Sequence, residues 1–261
     1  MPRHIPGPLY YEAIGATGMP MIFLHSTPDD HRLWLYQMAS FSAWYRCLAV
    51  DIAGYGRSPA VQPGVTVDDH AESLWEIVDR HTSGGVIVHG NSMGSELAMR
   101  MAQQRPSRVP ALILSGCGCP TSEIFLTWAK RYRDEGIALR HAQLLDHFAP
   151  AGQQSPLLRH YADMVAALSN HGTLSSIIAN NEALAQRPEP SFYDQITSPT
   201  LIVIGELDRS KPSSYELQKR IKGSELAFIP AVGHACNLEA PQEYDALCIQ
   251  FLRRLGLFPG P

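Results

Sequence analysis

The segment Gly90-Asn91-Ser92-Met93-Gly94 sets a serine between two glycines. It lies directly after the apolar run Val86-Ile87-Val88-His89 and opens a helical pattern that reaches Gln104. A chain passing from strand to helix in so few residues must turn sharply, and flanking glycines let the two elements approach without clashing Cβ atoms. Such a turn presents the Ser92 hydroxyl at the carboxyl edge of a sheet, where the helix N-terminus can help stabilise developing negative charge. A serine hydroxyl attacks well only when a base takes its proton. The chain holds 11 histidines, so position must choose among them. His234 follows the apolar run Leu226–Ile229 through Pro230-Ala231-Val232-Gly233, where the chain returns to that edge. A carboxylate should orient the imidazole, and Asp208 stands just beyond the run Thr200–Ile204 in Gly205-Glu206-Leu207-Asp208. Glu206 competes, but it lies nearer the strand end and reaches less far. Ser92, Asp208 and His234 thus all fall just past carboxyl ends of apolar runs, where open α/β sheets build their sites, and in the order Ser, Asp, His of one known triad class.

Those positions require a sheet built from strands that alternate with helices. Short apolar runs bounded by turn residues alternate with longer helical patterns through most of the chain, which predicts an α/β fold with a mostly parallel sheet. The expected strands are Leu9–Glu12 at an edge, Met21–His25, Cys47–Val50, Val86–His89, Ala111–Leu114, Thr200–Ile204 and Leu226–Ile229. The expected helices of the alternation are Leu33–Phe41, Thr66–Arg80, Ser92–Gln104, Pro212–Ile221 and Pro241–Leu255. Thr66 with Asp69 reads as a capping box, and Pro212 and Pro241 suit first-turn positions. Between Cys117 and Pro190 the alternation stops. Three helices are expected there, over Thr121–Leu145, Pro156–Ser169 and Leu174–Leu184. The organisation is therefore a core of 1–116 and 191–261 interrupted by a helical insertion, 117–190.

The chain of 261 residues is 45% hydrophobic and 18% charged, with a formal charge of −4. That excludes a disordered chain and gives no electrostatic reason to expect nucleic acid or an anionic membrane as partner. No apolar run approaches the ~18 residues of a membrane span, and Met1–Pro8 lacks the apolar stretch of a signal peptide. The five cysteines (Cys47, Cys117, Cys119, Cys236 and Cys248) are odd in number and scattered. They are expected to be reduced structural thiols of a cytoplasmic protein, and Cys117-Gly-Cys119 has no second pair or nearby histidine to complete a metal site.

With these motifs the chain resembles the α/β-hydrolase superfamily over nearly its whole length. The resemblance rests on Gly90–Gly94, Gly205–Asp208, Gly233–His234 and Asp51-Ile52-Ala53-Gly54-Tyr55-Gly56-Arg57-Ser58, which matches the D-x-x-G-x-G-x-S turn of that family. It implies an α/β-hydrolase fold whose insertion is a helical cap (lid) over the site. It also implies an oxyanion hole made by the backbone N–H of Met93 and one from the loop His25-Ser26-Thr27-Pro28-Asp29-Asp30-His31. Aligning His25 with the family's histidine makes Thr27 the second donor, although Ser26 replaces a glycine and could itself donate. His25 is expected to hydrogen-bond beneath the loop, and Asp29 and Asp30 to be solvated or to cap the next helix.

The implied activity is that of a cofactor-independent, metal-independent serine hydrolase, taking a small-molecule carboxylic ester or lactone through an acyl-enzyme. Residues 233–241 resemble enol-lactonases and small esterases. The alternative is a C–C bond hydrolase acting on a ring-fission diketone, whose elbow Gly90–Gly94 resembles; against it, Ser95 stands where glycine is common and Ala235 where tryptophan is. A non-catalytic binding protein of the same fold is a third reading, which the intact triad disfavours. Serine at 92 excludes the superfamily members with a carboxylate nucleophile, and the loop at His25 lacks the His-Gly-Gly-Pro-Gly of proline iminopeptidases. Ser26, Asn91 and Trp128 are the candidate substrate contacts. Most of the other aromatics of the insertion, Phe125, Tyr132, Phe148 and Tyr161, are expected to pack it onto the core, and Arg131 and Arg133 to face solvent.

Overall fold

The computed structural model describes residues 4–167 and 174–258. Seven strands form one sheet in the order β1-β3-β2-β4-β5-β6-β7. They are β1 (Tyr11–Ile14), β2 (Pro20–Leu24), β3 (Arg46–Val50), β4 (Ile87–Asn91), β5 (Ala111–Ser115), β6 (Thr200–Gly205) and β7 (Glu225–Ile229). Only β1 runs antiparallel, along β3; every other pair is parallel. The chain builds outward from β2 to β3, then returns so that β4 pairs the other side of β2. The crevice at the carboxyl end of that switch is where open α/β sheets bind ligands.

Strand periodicity divides the core in two. Ile22, Leu24, Leu48, Val50, Val88, Leu112, Leu114, Ile202 and Ile204 pack on one face with α2 (Val67–His81) and α3 (Met93–Gln104). Their neighbours Met21, Phe23, Cys47, Ala49, Ile87, Ile113, Leu201 and Val203 pack on the other with α1 (Leu35–Phe41) and α11 (Pro241–Arg254). The central strands are apolar on both faces because helices cover both. α2 begins with the expected capping box, Thr66 accepting from Asp69 N and Asp69 accepting from Thr66 N. α9 (Lys211–Arg220) and α11 both carry proline in their first turn.

Between β5 and β6 lie α4 (Ser122–Glu135), α5 (Leu139–Asp146), α6 (Pro156–Ala167), α7 (Leu174–Ala185) and the short α8 (Ser191–Asp194). One long helix was expected over Thr121–Leu145. Gly136, at φ 73°, ends α4 instead and the chain restarts as α5. The expected end of the following helix, Ser169, lies outside the described residues. The first turn of the expected Leu33–Phe41 helix is a 3₁₀ turn, His31–Trp34, and a short α10 (Cys236–Glu239) follows His234. The edge strand falls at Tyr11–Ile14, slightly later than read from the sequence. All five cysteines are free. Among the described residues no helix is long and apolar enough to cross a membrane.

One buried group runs against ordinary patterning. His89 on β4 is fully buried among Phe23, Trp34 and Phe41, neither ring nitrogen has a hydrogen-bond partner, and burial pushes its pKa down to about 3. The fold holds it neutral, while the unfolded chain titrates it near 6.5. Its contribution to stability is therefore full above pH 6.5 and is lost as pH falls towards 3. At pH 5 this group alone costs about 2 kcal/mol relative to pH 7. His89→Phe should remove that share of the acid lability, read as a smaller drop in urea midpoint between pH 7 and pH 5. An unchanged drop would contradict the account.

Candidate active site

Ser92 ends β4 and opens α3 with φ 52° and ψ −113°, one of two non-glycine residues with positive φ among those described. The glycines around it are steric necessities. A Cβ at Gly90 would overlap the Gly94 carbonyl, and one at Gly94 would overlap the carbonyl of Leu24 on β2. Leu24 pairs with Gly90 across the sheet, so the loop after β2 runs beside the elbow. Ser95 N and Glu96 N donate to the Ser92 carbonyl, starting the helix. Ser95, where glycine is common in ring-fission enzymes, gives its hydroxyl to the Ser115 carbonyl at 3.0 Å, locking α3 to β5.

Asp208 and His234 meet. His234 Nδ1 lies 3.0 Å from both Asp208 carboxylate oxygens. Asp208 N donates to Gly205 O, and Ser210 N donates to the Asp208 carboxylate at 2.8 Å. Burial pushes the Asp208 carboxyl up, but the charge and hydrogen bond of His234, then the Ser210 N–H, hold it at about 2. Burial pushes the His234 imidazole down, but the Asp208 charge and hydrogen bond outweigh it and leave its pKa above the ordinary value. Glu206, the rival carboxylate, is exposed and accepts from Ala231 N at 3.4 Å. Gly116, at φ 55°, lets the ring lie close: a Cβ there would sit 3.1 Å from His234 Cε1.

Ser92, Asp208, His234 and Thr27 line one cavity of about 280 Å³, with Phe125 and Trp128 from α4 on its wall. Trp128, one of the candidate substrate contacts, lies on this cavity's wall. Phe125 joins it, whereas Tyr132, Phe148 and Tyr161 are buried in the packing. Ser26 and Asn91 are not brought there. Both are fully buried; Ser26 donates its hydroxyl to Asp29, and Asn91 Nδ2 donates to Ser115 Oγ at 3.0 Å and to the His234 carbonyl at 3.2 Å. Asn91 therefore supports the histidine loop from below. Arg131, half-buried, and Arg133, exposed, are paired with Glu135 and Glu182 respectively.

The loop after β2 is fastened on all sides. His25 is fully buried, its Nδ1–H donating to Ser26 O at 2.8 Å and its Nε2 accepting from Ile52 N at 2.9 Å, which fixes its tautomer. That bond joins the loop to the Asp51–Ser58 turn. There the Asp51 carboxylate accepts from His31 N and Arg57 N at 2.8 and 2.7 Å and would fill the place of any Cβ at Gly56. The Thr27 hydroxyl meets the Tyr55 hydroxyl at 2.7 Å. Asp30 caps the 3₁₀ turn as expected, accepting from Arg32 N at 3.0 Å. Asp29 departs from expectation: it is buried, not solvated or capping, because Ser26 and Tyr161 donate to it and His147 lies beside it. Gln143, His147 and Asn181, all on the insertion, also line the cavity. No motif marks them, since helical segments this far from the strand ends carry no spacing signal.

The sheet, the elbow and the carboxylate-held histidine define a class, the α/β proteins with a strained serine turn between strand and helix. A family model described as the alpha/beta hydrolase fold matches residues 19–241. The chain belongs to this family. It is 31% identical over 258 residues to the AB hydrolase superfamily protein YisY of Bacillus subtilis, covering 93% of this chain and 94% of that one. It is 29% identical over 229 residues to a 2-hydroxy-6-oxononadienedioate/2-hydroxy-6-oxononatrienedioate hydrolase of Klebsiella pneumoniae, covering 81% and 78%. Among solved structures, the enol-lactonase from Burkholderia xenovorans superposes with a TM-score of 0.85 at 20% identity, covering 94% of this chain and 96% of the other. An esterase from Thermogutta terrifontis superposes with 0.83 at 22% identity, covering 95% and 93%. At these identities the structural likeness speaks for the fold alone.

Gly94→Ala tests the elbow. Its Cβ meets backbone of β2, which cannot swing aside as a side chain would, so the variant should lose roughly 1–3 kcal/mol of stability. A urea midpoint equal to that of the native protein would contradict the close approach described.

Proposed function

We propose that this hydrolase-family protein cleaves a carboxylic ester or lactone of a small organic substrate through an acyl-enzyme on Ser92. The observation that carries this reading is the His234–Asp208 pair opening onto the cavity that Ser92 lines at its strained turn. Ser92 Oγ attacks the carbonyl while His234 Nε2 takes its proton, and the Met93 and Thr27 N–H groups hold the oxyanion. His234 returns the proton to the leaving oxygen, releasing the alcohol. Water, deprotonated by the same imidazole, then attacks the acyl carbonyl and frees the acid and Ser92. Asp208, ionised throughout, keeps the Nδ1–H tautomer and stabilises the charged ring. Residues 117–190 act as a lid over this chemistry, with Trp128 and Phe125 giving an apolar wall. The unpaired cysteines suit a cytoplasmic setting.

A second reading, hydrolysis of a C–C bond in a ring-fission diketone, is favoured by the elbow Gly90–Gly94 and by the name of the Klebsiella relative. The two separate by assay: a p-nitrophenyl ester of a short acid should turn over faster than a chromogenic ring-fission dienoate, and the reverse ranking would select the second reading.

Ser92→Ala should abolish turnover of the p-nitrophenyl ester while the protein keeps its native circular dichroism; unchanged turnover would refute the nucleophile. His234 must be neutral to accept the proton, and its pKa is raised above 6.5. The acid limb of the kcat/KM profile should therefore fall as pH drops through a value above 6.5. Asp208→Asn removes the charge responsible, so it should move that limb to lower pH and slow turnover by about 10⁴-fold. A variant within tenfold of native, with an unmoved limb, would contradict the assignment.

A further inference from the structure

His147 follows α5 in the insertion and lines the same cavity as Ser92 and His234. Its Nδ1 lies 3.3 Å from Asp29 Oδ2, and the two side chains are 6% and 2% exposed. Asp29 also accepts from the Ser26 hydroxyl and, at 2.7 Å, from the Tyr161 hydroxyl. Burial pushes its carboxyl up, but His147, then Ser26 and Tyr161, hold it below the usual carboxylate value. An ionised Asp29 beside Nδ1 favours the tautomer that carries its hydrogen on that atom, with Nε2 on the far side of the ring. Among the described residues no group hydrogen-bonds that Nε2. The arrangement parallels that of His234 and Asp208, an imidazole beside a buried carboxylate in the lining of the same cavity, with a longer contact, 3.3 Å against 3.0 Å.

The two rings are neighbours, with centroids 5.0 Å apart and planes tilted by 53°. The His147 carbonyl accepts from His234 N at 2.8 Å and from Ala235 N at 3.1 Å, which fixes their spacing. That clamp uses main-chain atoms, so it does not account for an imidazole at 147. In the acyl-enzyme mechanism His234 hands its proton to the leaving oxygen, which must therefore lie against the His234 ring. A ring beside it in the lining of the same cavity stands near where the atoms attached to that oxygen would lie.

We propose that His147, oriented by Asp29, is a specificity-determining residue that hydrogen-bonds a hydroxyl on the alcohol part of the ester, next to the leaving oxygen. The inference rests on the ester-hydrolase reading. A hydroxyl suits this Nε2 because it can donate to the neutral ring or accept from the charged one.

Two esters of butyric acid, the 2-hydroxyethyl and the propyl ester, differ only by hydroxyl against methyl at the atom in question. Native protein should favour the hydroxyethyl ester in kcat/KM by about tenfold over the ratio seen in hydroxide hydrolysis, the value of one net hydrogen bond. His147→Phe, which keeps the ring but not the nitrogen, should bring the ratio back to the hydroxide value. A native ratio equal to the hydroxide ratio overturns the inference even if the variant does not fold, and so does a His147→Phe ratio unchanged from native. If p-nitrophenyl butyrate is turned over but the ratio is flat, this inference alone fails. If no ester is turned over, the ester-hydrolase reading fails and takes the inference with it.

Discussion

At Ser92 the backbone adopts a conformation that a side chain resists, and the rest of the site is arranged around that turn. A positive φ on a non-glycine residue persists only where the surroundings over-determine it. Here they do. The Gly90 and Gly94 contacts bring β4, α3 and β2 together, Ser92 N donates to Ser115 O at 2.9 Å, and the Ser95 hydroxyl reaches the same carbonyl. The turn falls at the point where strand order reverses, so the loop after β2 lies alongside it. The histidine and its carboxylate follow the carboxyl ends of β7 and β6 on the same edge of the sheet.

The helical insertion is bonded into both walls of this crevice. Toward the loop after β2, Arg140 Nε donates to Pro28 O at 2.9 Å, Gln143 Nε2 to Thr27 O at 3.4 Å, and Tyr161 to Asp29. Toward the histidine loop, the His147 carbonyl takes two N–H groups, and the Glu239 carboxylate accepts from both Ala149 N and Gly233 N, at 2.9 and 2.6 Å. A Cβ at Gly233 would press on the backbone of 147–149, which is why the segment can seat so close. Toward α3, the buried Glu96 holds Arg187 with both oxygens, at 3.0 and 2.9 Å. Breaking such a pair by removing one partner would strand a buried charge, a cost of several kcal/mol. The insertion therefore bonds to the loop that carries Thr27 and to the loop that carries His234, bridging the two.

Much of this was legible in the sequence because the physics is local. A buried parallel strand reads as a short apolar run, and a tight strand-to-helix turn demands glycines at fixed offsets, so β4, α3 and Ser92 announce themselves. The pairing of Asp208 with His234 followed from both standing just past strand ends. What stayed hidden depends on contacts between distant segments. Asp29 looked like a solvated loop residue, since nothing near it in the chain reveals that Tyr161 and His147 close over it. Ser26 and Asn91 sit next to the cavity-lining Thr27 and Ser92 in sequence, yet both side chains are fully buried and do not line the cavity. Gly136 reads in the sequence as a helix interior, and only its positive φ shows that α4 ends there. His89 broke the usual rule outright, a titratable ring used as an apolar filler.

The proposed convergence of Ser92, His234 and the Met93 and Thr27 amides on one reacting carbonyl is tested most directly by a crystal structure of the protein inhibited with an alkyl p-nitrophenyl phosphonate. The account predicts phosphorus bonded to Ser92 Oγ, its free oxygen about 2.7–3.1 Å from the N–H groups of Thr27 and Met93, and the imidazole of His234 within hydrogen-bond reach of Oγ. An adduct on another residue, or one on Ser92 with its free oxygen turned away from both amides and the ring out of reach, would contradict it.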